Sequence, residues 1–339
     1  MATVQTQDMR WKPFGGYVLP AFLVTIDTEG DNLWSNPREI KTENARYLAR
    51  FQALCERHRL RPTWLTNYEM ARDPVFVELA RDAQRRGAAE VGMHLHAWNS
   101  PPLVPLTADD LRHHPYLCEY PEPILREKVR VMTDLLGEIF GAPVSHRSGR
   151  WAMSPTYARV LVEHGYKVDC SVTPGVSWRD IPGDPAGHGG SDYMHYPDRA
   201  YFVDLDDLSR PGRSPLLEVP MTTRTHRRKL LPFVPPVMLR TRLVRSALAR
   251  LAPIRWLRPR GDDRADLLRI VDEVAAEKRD YLEFMLHSSE LMPGGSPTFR
   301  TVRDIEALYD DLEALFASLP GRFAGATLAE YHDRFRAAS

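Results

Sequence analysis

Short runs of strand-forming residues alternate with helical patterns along this chain, and that alternation restricts it to a sheet wrapped by helices. The runs VLPAFLVTI, PTWLTN, AEVGM, APVS, YKVDC and YLEFML read as strands. Between them, Pro37 to Arg59 reads as a helix with Tyr47, Leu48, Phe51 and Leu54 on its apolar face. Asp73-Pro74 opens another that runs to Gly87. Further helices are expected from about Pro123 to Phe140 and from Pro155 to His164. Helical crossovers of this kind make the sheet mainly parallel. Four runs lead into acid/base or metal-competent side chains: Asp27-Thr28-Glu29 with Asp31, His94-Leu95-His96, Arg147 to Trp151, and His287-Ser288-Ser289-Glu290. The ends of parallel strands share one rim, so groups this far apart in sequence can converge there.

With 339 residues, 43% of them hydrophobic, the chain is long enough to bury one large core, and we read 1–339 as a single domain. A net charge of zero gives no case for nucleic acid. Cys55, Cys118 and Cys170 form no CxxC pair and no even framework, which suits a reducing compartment. The first apolar run has no basic lead, contains Pro20 and enters acidic residues directly, so it reads as a strand and not a signal peptide. No stretch is apolar enough to span a bilayer, and the expected location is cytoplasmic.

Two stretches break the rhythm. Residues 174–215 are dense in Gly, Pro and Asp and read as a long loop excursion over the barrel mouth. From Val219 to Gly261 there is no acidic residue, while eleven Lys or Arg occur between Arg224 and Arg260. Leu239, Leu243, Leu248 and Leu251 interleave with Arg240, Arg242, Arg245 and Arg250, so residues 224–262 read as a basic helical insertion. That pattern suits peripheral contact with an anionic membrane, a grip on a phosphorylated ligand, or a solvated helix packed on the barrel.

Residues i and i+2 of a strand project from one face, so His94 and His96 can reach one ion, and Asp27 and Glu29 share a face of the first strand. Two imidazoles and a carboxylate make the protein ligand set of a catalytic zinc. Taken alone, an HxH pair reads more readily as two histidines bonded to backbone than as a metal site.

The segments TIDTEGD, EVGMHLHAW, SHRSGRW, GYKVDCSVTP, LLEVP and MLHSSELMPGG occur in a familiar order. In this the chain resembles the polysaccharide deacetylase family (NodB-homology, carbohydrate esterase 4-like) over roughly Val18 to Gly295. The resemblance implies a distorted (β/α)7 barrel and metal-dependent removal of an N-acyl, occasionally an O-acyl, group from a sugar. The family pattern TFDD supplies a base Asp and a metal Asp, and HxxxH supplies two metal histidines. Here Thr28 stands in the second Asp position with Glu29 as its replacement, and Trp98 stands at i+4 with His96 at i+2. The implied base is Asp27 and the implied metal ligands are Glu29, His94 and His96; if the carboxylate roles swap, Asp27 is the ligand. Arg147 is the implied partner of the base, the turn through Gly149 and Arg150 the oxyanion donor, and His287 the general acid. Arg150 and Trp151 are placed at the sugar pocket, and Asp169 where it would orient His287 or Arg147.

The expected function is hydrolysis of an acetyl or formyl amide on an amino sugar, in a polysaccharide or in a lipid- or nucleotide-linked biosynthetic intermediate, with Zn2+ or another divalent metal. Two other classes stay open: a different metal hydrolase on a TIM-like barrel, and a catalytically silent glycan-binding homologue.

Overall fold

The computed structural model of the protein describes residues 19–37, 39–225 and 254–338. Its main sheet holds β1 (Ala21–Thr28), β2 (Thr63–Thr66), β3 (Glu90–Leu95), β4 (Ser145–Ser148), β5 (Val168–Asp169), β6 (Tyr201–Phe202), β7 (Leu217–Glu218), β10 (Tyr281–His287) and β11 (Ala324–Ala326). The spatial order is β10-β1-β2-β3-β4-β5-β7-β6, with β11 beside the first half of β1. Every pairing is parallel except β6 with β7. The sheet curls into a parallel-rich half-barrel, in keeping with the distorted (β/α)7 barrel that the family resemblance implies.

No ladder joins β7 to β10 among the described residues. Single hydrogen bonds span that gap instead. Tyr281 Oη donates to the Pro220 carbonyl at 2.7 Å, and Glu283 N donates to Thr222 Oγ1 at 2.9 Å. Leu257 then donates to the Thr222 carbonyl at 3.1 Å and accepts from Met285 N at 3.2 Å.

Helices cover the outside. Asp73 caps the helix Pro74–Arg85 by accepting from Val75 N and Phe76 N, with Pro74 in the first turn and Gly87 in a left-handed conformation beyond the end. The helices Glu122–Phe140 and Pro155–Glu163 lie where the sequence places them.

Three expectations need correction. The helix expected from Pro37 starts later, as a 3-10 turn at Glu43–Tyr47 followed by the α-helix Leu48–Arg57. The Asp31 carboxylate fixes that start, accepting from Glu43 N and Asn44 N at 2.9 Å each. Tyr47, in the 3-10 turn, is exposed, while Leu48, Phe51 and Leu54 are buried as expected. Second, the excursion 174–215 carries a strand, β6, held against β7 because Tyr201 is buried and donates its hydroxyl to the Leu208 carbonyl at 2.7 Å. Third, the described ends of the basic stretch are extended, not helical. Thr223–Thr225 (β8) and Ile254–Trp256 (β9) pair antiparallel, as their β-branched and aromatic residues favour. The remainder of the expected insertion, including Arg240, Arg242, Arg245 and Arg250, lies outside the described residues. Among those described, no helix is long and apolar enough to cross a membrane.

Gly92 shows how tightly the barrel interior is drawn below the rim. A Cβ there would meet the Ser145 carbonyl oxygen at 2.6 Å and Leu65 Cδ2 at 2.9 Å, and the first contact is backbone that cannot swing away. Gly92→Ala should lower unfolding free energy by about 1–3 kcal/mol, the usual cost of overpacking a core. Urea denaturation checks this, and an unchanged midpoint would show that β3 and β4 can separate freely.

Candidate metal centre and active site

Register brings the candidate residues together. Pairing of β1 with β10 sets Asp27 beside His287, and pairing of β3 with β4 sets His94 beside Arg147. All four lie at the C-terminal ends of parallel strands, the rim where such barrels carry chemistry.

Glu29, His94 and His96 are buried and offer one ligand atom each, all within 4.8 Å of one another. Glu29 Oε2 lies 2.8 Å from His96 Nε2 and 3.5 Å from His94 Nε2. His94 Nδ1 donates to the Arg147 carbonyl at 2.9 Å, which holds the ring proton there and leaves the Nε2 lone pair turned toward Glu29. His96 Nδ1 is buried without a hydrogen-bond partner among the described residues, so nothing there ties up its ring in competition with Nε2. The residues fit a divalent ion held through two imidazole nitrogens and one carboxylate oxygen.

Charge follows from the same contacts. Burial works to raise the Glu29 pKa, but His287, His94 and His96 outweigh it and hold the carboxyl well below its usual range. Burial also pushes His96 down to about 4, so that ring is neutral and ligand-competent. His94 moves the other way: burial opposes its charged form, but Asp27 and Glu29 together outweigh it. The two rings differ because His94 faces Asp27 as well, whereas His96 feels the positive charges of His94 and Arg150.

Asp27 is the second buried carboxylate. Arg147 Nη1 donates to its Oδ1 at 2.7 Å, Nη2 donates to Thr25 Oγ1 at 2.8 Å and to Glu283, and Nε donates to the Cys170 carbonyl at 3.1 Å. Burial would raise the Asp27 pKa, but Arg147, then His94 and His287, bring it below the ordinary value. On the opposite side, His287 Nε2 lies 3.7 Å from Asp27 Oδ2 and 3.9 Å from Glu29 Oε1. Its Nδ1 lies 3.2 Å from Glu290 Oε2, and Glu290 also accepts from the His287 backbone N–H at 2.9 Å. Arg258 Nη2 donates to Glu290 Oε1 at 3.0 Å. Burial raises the Glu290 pKa, yet Arg258 and His287 outweigh it and bring it to about 2. The same Arg258 Nη2 lies 3.1 Å from His287 Nδ1, so a carboxylate and a guanidinium stand behind the imidazole and two carboxylates before it.

The turn after β4 carries Arg150 and Trp151 at positive φ, 55° and 60°. Trp151 is buried, with the Arg147 guanidinium 4.9 Å over its ring and Trp256 packed edge-on at 5.5 Å.

No family model matches this sequence, and no curated protein matches it. Solved structures match it in shape. A Parabacteroides distasonis protein described as a glycoside hydrolase/deacetylase is similar with a TM-score of 0.61 at 12% identity, over 94% of this chain and 72% of its own. A Mycobacterium smegmatis protein described as a polysaccharide deacetylase gives a TM-score of 0.54 at 14% identity, over 96% of this chain and 93% of its own. The fold is that of the polysaccharide deacetylases. A 4-alpha-glucanotransferase from Thermococcus litoralis also matches, with a TM-score of 0.50 at 12% identity, over 94% of this chain and 40% of its own. Likeness to this deacetylase fold therefore leaves the chemistry to the site.

Against the family pattern, Asp27, Glu29, His94, His96, Arg147 and His287 are brought together, with Arg150 and Trp151 on the adjoining turn. Asp31 is not part of the cluster; it caps the turn at Glu43. Asp169 orients neither His287 nor Arg147. It accepts from His146 Nδ1 at 2.7 Å and from Ser171 Oγ at 2.8 Å. Its register partner is His146, and neighbours in register share a face, so Asp169 lies on the side of the sheet away from Arg147. Arg258 and Glu283 belong to the site but match no family motif, while Thr25 and Glu290, which lie within TIDTEGD and MLHSSELMPGG, join it without a role implied by the resemblance. Glu283 does leave a trace in the sequence: it is the one acid inside the apolar run YLEFML, two places along the strand from Met285 and four from His287.

Burial raises the Glu283 pKa to about 7 in spite of Arg147 and Thr25. Its folded-state pKa thus exceeds the unfolded value, and between pH 4.5 and 7 the folded protein holds a proton that the unfolded chain has lost. Stability from this group is present at pH 5 and is lost as pH rises through 7, by roughly 3 kcal/mol. Glu283→Gln has no such proton to lose, so its stability relative to wild type should grow by about that amount between pH 5 and 8. Chemical denaturation at a series of pH values checks this; a constant gap would mean that Glu283 is ionised throughout.

Proposed function

We propose that this chain is a metal-dependent hydrolase that removes an N-acyl group, acetyl or formyl, from an amino sugar of a polysaccharide or of a glycan intermediate. The observation that carries the reading is the meeting, within one buried cluster, of a carboxylate–imidazole ligand set, an arginine-paired carboxylate and a histidine backed by a third carboxylate. A catalytic base, a metal site and a proton donor are what amide hydrolysis requires.

Glu29, His94 and His96 would hold the ion, zinc by donor set, and a divalent metal there supplies Lewis-acid polarisation of the acyl carbonyl and a lowered pKa for water. Asp27 is the general base. Arg147 keeps it ionised and, by taking Oδ1, leaves Oδ2 to accept the proton of the attacking water. A backbone N–H of the turn through Gly149 and Arg150 would stabilise the developing oxyanion. His287 protonates the departing nitrogen from Nε2; the Glu290 carboxylate and the Arg258 guanidinium, 3.2 Å and 3.1 Å from Nδ1, hold the ring in place. Trp151 and Arg150 border the sugar, and a lipid- or nucleotide-linked saccharide is compatible with such a rim.

His94→Ala should lose stoichiometric metal by elemental analysis and lose turnover with it. His287→Ala should keep its metal while kcat falls by about 10²–10⁴, the contribution of a positioned acid. Arg147→Lys should also depress kcat, since one ammonium cannot make the parallel bonds of a guanidinium fork. A His94→Ala protein with full metal and wild-type turnover on N-acylated sugars would refute the proposal.

A further inference from the structure

Arg150 differs from the other well-covered arginines. Arg147, Arg224, Arg258 and Arg279 each contact a carboxylate. Arg150 is half-buried, and among the described residues its side chain makes no hydrogen bond or ion pair; its guanidinium lies 5.1 Å over the Trp98 ring. That ring in turn meets His96 edge-on at 4.4 Å. Metal ligand, tryptophan and arginine therefore stand in consecutive layers at the rim.

Tyr116, whose hydroxyl donates to the Ile181 carbonyl at 3.0 Å, and two carboxylates, Glu29 and Glu119, act on Arg150 through their charge, and each is engaged elsewhere. Glu29 is turned to the histidines. Glu119 accepts from Asp184 N at 2.6 Å and from Tyr116 N at 3.2 Å. Burial accordingly lowers the Arg150 pKa, as expected for a cation stripped of water without a full protein counter-ion. The backbone holds the residue at φ 55°, a left-handed conformation that a long side chain rarely adopts, and the planar fork lies over the Trp98 face with its N–H groups unpaired among the described residues.

We infer that Arg150 binds an anionic group of the substrate, a carboxylate or a phosphate carried by the sugar, so that the glycan taken at this site is acidic. The inference rests on the deacylase reading for the identity of the ligand as an N-acyl sugar. A guanidinium fork accepts either anion through two parallel hydrogen bonds, and its stacked geometry favours a planar or tetrahedral oxyanion over a hydroxyl pair.

The test is calorimetric binding to the full chain of three probes: N-acetylglucosamine, its C6 carboxylate form and its 6-phosphate. At least one acidic sugar should bind wild type roughly tenfold to a hundredfold more tightly than the neutral one, the size of a charge-assisted pair. The sugar that gains identifies the anion. Arg150→Gln should abolish the preference and Arg150→Lys should restore part of it; with an acidic substrate the change should fall on KM more than on kcat. Equal binding of neutral and acidic sugars by wild type overturns the inference without recourse to a variant, as does a preference that survives in Arg150→Gln. Because binding is read without turnover, a wild-type protein that prefers acidic sugars but hydrolyses none would uphold the anion site while refuting the deacylase reading.

Discussion

The Arg147 guanidinium is the contact on which the rest of the site depends. It is fully buried and joins four strands: its own β4, β1 through Asp27 and Thr25, β10 through Glu283, and the end of β5 through the Cys170 carbonyl. A buried cation is costly unless every donor finds an acceptor, and here the acceptors come from strands that the chain order keeps far apart. Its backbone carbonyl also takes the His94 ring proton, so one residue aims both the candidate base and a candidate ligand. Two carboxylates compete for the fork. Asp27 is held ionised while Glu283 is pushed toward neutrality, which divides the pair into one charged and one protonatable group.

The offset metal motif follows from strand geometry. With Glu29 and His96 each two residues from a partner on the same face, ligands shift by one strand step without leaving the barrel interior. Trp98, at the position where the family pattern has its second histidine, becomes the plate on which Arg150 rests. Gly149 permits this crowding, since a Cβ there would come within 2.6 Å of the Leu95 carbonyl and 2.9 Å of His96 Nδ1. A changed ligand set and a changed rim are thus parts of one rearrangement.

Much of this was legible in the chain. Asp27, Glu29, His94, His96, Arg147 and His287 could be singled out because each ends or follows a strand-like run at a position whose face is set by the period of two. What escaped had no local signal. Arg258 reaches Glu290 across 32 positions of sequence, and Glu290, though one of the acid/base side chains after the last strand run, carried no sign of that partner. Asp169 was misplaced because its face depends on register with β4, and register is not written in a strand of two residues.

By itself the sequence determined the alternation of strand and helix, the inward face of each long strand and the chemical types gathered at the strand ends, since these depend on local period and side-chain chemistry. Only the tertiary structure decided which carboxylate meets which cation. Asp27 went to Arg147, Glu29 to the two histidines, Glu290 to His287, and Asp169 to His146 on the other side of the sheet. Those partners are separated by anything from three residues to more than a hundred, and charge pairing in a low-dielectric interior turns on distances of a few ångströms that only the folded sheet sets.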